Sequence, residues 1–147
     1  MPTFSTPEDI QKAIQLFNQH AYNAGFEFKV YSSEASCLYI QASFDFGYYV
    51  NVDIECREVF FTNISPTASW PDAWHADQLF LLSDDELENI MAFKEITIQS
   101  DKPYFGMVFN IIGKDNYLLN GTVICTSLYI HWRHPDKNDA YEFRTSA

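Results

Sequence analysis

The chain has 147 residues, enough for one domain, with 47% apolar and 20% charged residues, the proportions of an ordinary globular protein. A chain of this length buries roughly 70% of its unfolded surface, so it needs neither a disulfide nor a metal to fold. Nine Lys and Arg stand against 20 Asp and Glu, a formal net charge of −11. That field repels phosphate backbones and anionic lipid, which argues against nucleic acid and membrane as partners, and it speeds encounter with a basic protein.

The charge is unevenly placed. Between Asp45 and Glu95, eleven acids face only Arg57 and Lys94, a local charge of −9. Aromatic residues make up 17% of the chain, with 13 Phe, 9 Tyr and 3 Trp. The Phe suit a core, whereas Tyr and Trp have one apolar and one polar end and recur at interfaces. The three cysteines, Cys37, Cys56 and Cys125, are far apart, odd in number and form no CxxC pair. No apolar segment of signal-peptide type follows Met1, and no apolar run approaches the length of a membrane span. Free thiols in a reducing cytoplasm are expected. The sequon Asn120-Gly121-Thr122 is then without meaning for glycosylation.

The first predicted element is a helix. Thr6 is placed to cap it, Pro7 stands at its first position, and Glu8 and Asp9 suit the positive end of its dipole. Ile10, Ala13, Ile14, Phe17 and Ala21 fall on one face, and Asn23-Ala24-Gly25 ends the helix. His20 lies near that end.

Strands follow. Phe26, Phe28 and Val30 alternate with Glu27, Lys29 and Tyr31, and Ser32-Ser33-Glu34 separates them from the next apolar set. Leu38, Ile40, Ala42 and Phe44 alternate with Tyr39, Gln41 and Ser43, and Asp45-Phe46-Gly47 makes a hairpin turn. The clearest strand is Tyr48 to Cys56, with Tyr48, Val50, Val52, Ile54 and Cys56 on one side and Tyr49, Asn51, Asp53 and Glu55 on the other. A period of two this regular predicts one face on a core and one toward water. Arg57-Glu58 then turns the chain into a strand from Val59 to Ile64, which completes a four-strand antiparallel meander. On this reading Tyr48–Cys56 pairs with both of its neighbours in sequence.

Ser65 to Gln78 reads as a loop. Ser83 caps a second helix, with Glu86 completing a capping box and Leu87, Ile90 and Met91 forming a short apolar face. Phe93 to Gln99 fits either a continuing helix or a strand containing Ile96 and Ile98. Tyr104 to Ile112 is a strand, and Tyr117–Leu119, the turn Asn120-Gly121 and Thr122–Trp132 form a hairpin. Residues 134–147 are polar and read as a loose tail. The expected fold is α+β over residues 1–147: a single antiparallel sheet of about six or seven strands with two helices on one face, in the order α-β-β-β-β-α-(β)-β-β.

Two groups of residues bear chemistry. The loop residues Trp70, Asp72, Trp74, His75 and Asp77 concentrate two of the three Trp, and Trp dominates binding hot spots. The polar strand face Tyr49, Asn51, Asp53 and Glu55 combines an aromatic ring with like charges. Because those charges should repel, neutralising Asp53 and Glu55 is expected to leave stability unchanged or raise it slightly. His131 and His134 point to opposite faces of an extended chain, which separates them as metal ligands unless Pro135 turns the strand. Cys56 falls on the apolar strand face, where a thiol is inert. No GxSxG, HExxH, GxGxxG or GxxxxGK[ST] occurs, and no cofactor, metal or catalytic residue is expected.

In composition the chain resembles the small acidic inhibitors of basic nucleases and toxins, with no motif behind the likeness. The resemblance implies a neutralising, immunity-type binder. The leading expectation is thus a non-catalytic domain that meets a basic protein through the strand face and the Trp loop. The alternatives are an enzyme or metal-binding protein using His75, His131 and His134, and a structural subunit whose exposed aromatics form a homodimer.

Overall fold

A computed structural model of the chain describes residues 3–4, 7–24, 27–34, 36–43, 50, 52–65, 69–70, 79–109 and 121–133. In chain order the elements are β1 (Thr3–Phe4), α1 (Pro7–Ala24), β2 (Glu27–Glu34), β3 (Cys37–Ser43), β4 (Val52–Arg57), β5 (Phe61–Thr62), β6 (Ser69–Trp70), β7 (Leu79–Leu81), α2 (Asp84–Phe93), β8 (Phe105–Phe109), β9 (Thr122–Cys125) and β10 (Ser127–Trp132). The α+β class and the antiparallel pairing agree with the sequence.

The single sheet does not. The described strands form a six-stranded sheet, β1-β10-β4-β3-β2-β6, and a four-stranded sheet, β5-β9-β8-β7. The physical reason lies in β8 and β9. Every residue of Phe105–Phe109 and Thr122–Cys125 is buried, so the second sheet has cover on both faces, and a strand covered on both faces reads as a continuous apolar run. One face joins the main core, where Met107, Phe109, Val123 and Cys125 meet Phe28, Leu38, Ile40, Ile54 and Ile130 of the first sheet. The other face puts Phe80, Val108 and Ile124 against Ile90, Leu87 and Met91 of α2. The two helices therefore serve different cores. Ile10, Ala13, Ile14 and Phe17 of α1 enter the main core, each large side chain adding about 1.5–3 kcal/mol of burial.

Two connections cross between the sheets at one corner. β4 runs into β5 through Glu58, which takes the left-handed conformation at φ 53° and so turns the chain out of the first sheet. The predicted fourth meander strand consequently shrinks to Phe61–Thr62 and pairs with β9. Between β9 and β10 the buried Thr126 breaks the predicted Thr122–Trp132 strand in two. Backbone bonds tie the crossings together: Phe60 N–H donates to Ile124 O at 2.8 Å, and Thr126 N–H to Arg57 O at 3.2 Å. Lys102 Nζ donates to Glu58 at 2.6 Å, which holds that carboxyl below its ordinary 4.5.

The partner of β4 is also corrected. It pairs with β3 as expected but on its other side with β10, Val52 opposite Trp132 and Arg57 opposite Ser127. The strand begins at Val52; residues 48, 49 and 51 lie outside those described. Ser32-Ser33-Glu34, placed between the strands by the alternation, belongs to β2, and an irregularity between Val30 and Ser32 makes Tyr31 an extra residue there. The expected loop from Ser65 to Gln78 contains β6, whose Trp70 stands opposite Phe28. Gly25, Tyr117–Leu119 and the tail 134–147 lie outside the described residues. No helix among the described residues is long and apolar enough to cross a membrane.

Both caps of α2 are built from side chains and turn geometry. Ser83 Oγ accepts from Glu86 N–H at 3.2 Å and Glu86 returns the bond to Ser83 N–H at 3.0 Å, the expected capping box. The helix ends at Phe93 because Ile96 N–H bonds back to Met91 O and Glu95 N–H to Ala92 O, a Schellman closure. Glu95 stands at φ 55° in that closure, where glycine is free of the Cβ penalty. Since Glu95 is exposed, Glu95→Gly should raise the unfolding free energy by about 0.5–1 kcal/mol in a urea titration; a loss of stability would mean that the side chain holds the turn.

Candidate functional site: the outer face of the six-stranded sheet

Alternation in β3, β4 and β10 sends Leu38, Ile40, Ala42, Val52, Ile54, Cys56, Leu128 and Ile130 into the core. The intervening side chains form the opposite, outer face. Register aligns them in cross-strand rows: Tyr39 with Glu55 and Glu55 with Tyr129, then Gln41 with Asp53 and Asp53 with His131. From β2, Lys29 stands opposite Gln41. The extra residue Tyr31 joins the same face at 67% exposure.

The face is rich in paired charge. Arg57 Nε donates to Glu55 Oε1 at 2.6 Å and its Nη1 to Tyr129 Oη at 2.9 Å, while the guanidinium lies 4.0 Å over the Tyr129 ring. Arg133 grips both oxygens of Asp53, Nη2 to Oδ1 at 2.8 Å, and Gln41 Nε2 adds a longer bond to Oδ1 at 3.4 Å. Hydrogen bonding to the carboxylates makes both guanidiniums still harder to deprotonate. The Glu55 side chain is only 14% exposed and that of Asp53 30%.

A depression of about 150 Å³ opens on this face. Tyr31, Tyr39, Gln41, Asp53 and Glu55 line it, with Ile40 and Ile54, whose side chains point into the core. The charge of Glu55 pushes the Tyr39 hydroxyl above its ordinary 10.0.

The structure thus places Asp53 and Glu55 on the side away from the core, as the alternation predicts, and surrounds them with residues the sequence reading passed over. Tyr31, Tyr39, Gln41 and Tyr129 were legible as polar-side positions of their own strands. Arg57 reads in sequence as a turn residue, and Arg133 draws no reading of its own. Their approach depends on β10 lying beside β4, a pairing between distant segments. It also overturns the expected repulsion, since each carboxylate has an arginine. The backbone of Trp70 lies at the β6 edge of the same sheet. Tyr49, Asn51, Asp72, Trp74, His75, Asp77 and His134 lie outside the described residues. His131 is exposed at the end of β10.

Comparison of the chain with protein-family models, curated proteins and solved structures finds no match.

Other chemistry-bearing groups are placed differently. Cys56 and Cys125 are buried, and a hydrogen bond with Cys125 together with burial pushes the Cys56 thiol well above its ordinary 9.0, which keeps it protonated and weakly nucleophilic. Among the described residues no three His, Cys, Asp or Glu side chains are grouped to hold a metal ion. The outer face combines tyrosine rings, oriented carboxylates and arginine forks, groups suited to recognising polar and charged side chains.

Proposed function

We propose that the chain is a non-catalytic interaction domain that meets a basic protein partner through the outer face of the six-stranded sheet, in the manner of a neutralising, immunity-type binder. The observation that carries this reading is the grouping of Tyr31, Tyr39 and Tyr129 around carboxylates already held in place by Arg57 and Arg133. Tyrosine supplies large contact area with few rotatable bonds, and side chains held before binding lose less entropy on binding. The net charge of −11 supports a basic partner by steering its approach. A cytoplasmic setting is part of the proposal, in keeping with the free thiols.

The experiment is affinity capture with the whole chain as bait, followed by association kinetics of the recovered protein at several salt concentrations. A basic partner is expected, with an association rate that falls steeply as salt rises. The double variant Asp53→Asn, Glu55→Gln should slow association and flatten that salt dependence. It should lower stability by about 1 kcal/mol or less per pair, because the arginine of each pair is exposed and such pairs contribute little. A partner that binds this variant with unchanged rate and salt dependence would place the interaction elsewhere.

A further inference from the structure

The depression on the outer face is small. Pockets for small-molecule ligands span roughly 300–1,000 Å³, whereas this one holds about 150 Å³, room for the head of one side chain. Its lining includes two tyrosines and two carboxylates, and neither Arg57 nor Arg133 is part of it. Tyrosine faces and carboxylates both attract cations.

We infer that the depression binds the cationic head of a single lysine or arginine side chain, which the protein partner supplies. This rests on the interaction reading above and specifies what the face recognises. The face already holds a guanidinium in this manner: Arg57 lies 4.0 Å over the Tyr129 ring while bonding Glu55 at 2.6 Å. Tyr31 and Tyr39 supply the aromatic half at the depression, and Asp53 and Glu55, each already bonded to an arginine, supply carboxylates that an incoming cation would share. The Glu55 charge raises the Tyr39 hydroxyl, which sets that carboxylate beside the ring. Tyr31 is positioned by the irregularity in β2, and its exposure of 67% leaves the ring accessible to an incoming cation. At longer range the net charge of −11 draws such a group in.

The test is a nuclear magnetic resonance titration of the full chain with Nα-acetyl-arginine amide and Nα-acetyl-lysine amide, with Nα-acetyl-norleucine amide as the uncharged control. Saturable shifts at Tyr31, Tyr39 and Gln41, with a dissociation constant of about 1 mM for one or both cations and none for norleucine, are expected. Tyr31→Ala removes an exposed ring, leaves the core intact and should weaken binding about fivefold. Equal shifts with norleucine, no shifts with either cation, or shifts confined to the acidic start of α2 would overturn the assignment. Failure of the broader reading looks different. A captured partner weakened by Tyr129→Ala but indifferent to Tyr31→Ala overturns the depression and leaves the face. Cation binding at the depression with a partner indifferent to all outer-face variants keeps the depression as a cation site and removes the face as the docking surface.

Discussion

Phe28→Ala should lower the unfolding free energy by about 3–5 kcal/mol, the usual cost of deleting a buried aromatic ring. Phe28 is fully buried and joins three elements. Its ring lies 6.1 Å from that of Phe17 on α1, stacked at 30°, and 5.4 Å from that of Phe109 on β8, edge-on at 80°. Its backbone pairs β2 with β3 at Ala42 and with β6 at Trp70. Removing the ring therefore leaves a void shared by the helix and both sheets, which cannot all close in on it. Against a typical domain stability of about 5–15 kcal/mol the variant is left close to unfolding. A urea titration followed by far-ultraviolet circular dichroism measures this, with the midpoint shifted and the slope unchanged. A loss below about 1 kcal/mol would mean that the sheets are not packed through Phe28.

Asn18→Leu should cost about 2–4 kcal/mol despite adding apolar volume to the protein. β7 is the last described strand of the four-stranded sheet, so among the described residues no strand lies on the side of Leu79 away from β8. Asn18 on α1 takes the place of one: its Oδ1 accepts from Leu79 N–H at 2.8 Å and its Nδ2 donates to Leu79 O at 2.5 Å. An amide side chain offers the one acceptor and one donor that an edge residue needs. Leucine is a better helix former and of similar size, so a loss of stability reports the polar bonds that Asn18 makes, those to Leu79 among them. Denaturant titration with hydrogen exchange at Leu79 reads both effects. Unchanged stability with a protected Leu79 amide would show that the helix does not seal this edge through Asn18.

Local pattern and long-range pairing were not equally legible. The helix spacing of Ile10, Ala13, Ile14 and Phe17, the Ser83/Glu86 box and the alternation through Val52, Ile54 and Cys56 are all local, and the structure retains them. The division into two sheets depends on where Glu58 and Thr126 turn the chain. A turn at Arg57-Glu58 was legible, but not that Glu58 at φ 53° leads the chain out of the first sheet, and Thr126 sits inside a run that is otherwise strand-like. The end of α2 was ambiguous because Glu95 occupies a position where glycine would have signalled the stop. Phe105–Phe109 and Thr122–Cys125 were legible as strands, but their burial on both faces follows from the main core on one side and α2 on the other. Of the outer face, the positions of Asp53 and Glu55 were legible from alternation, while Arg57 and Arg133 became their partners only through strand pairing. The close approach at Gly106 belongs with these long-range features: a Cβ there would lie 2.6 Å from Leu82 Cδ1 and 3.0 Å from Leu87 Cδ1, so the glycine lets α2 and its leading segment settle on β8.

The outer face is the surface on which the functional proposal stands, and its three described tyrosines are its most direct reporters. Hydroxyl-radical footprinting of the chain, alone and saturated with its captured partner, reads the solvent access of each ring. Phe93, 56% exposed on α2, serves as an internal reference on a different element. The account predicts that oxidation of Tyr31, Tyr39 and Tyr129 falls together on binding while that of Phe93 is unchanged. Unchanged oxidation of the three tyrosines with protection at Phe93 would contradict it.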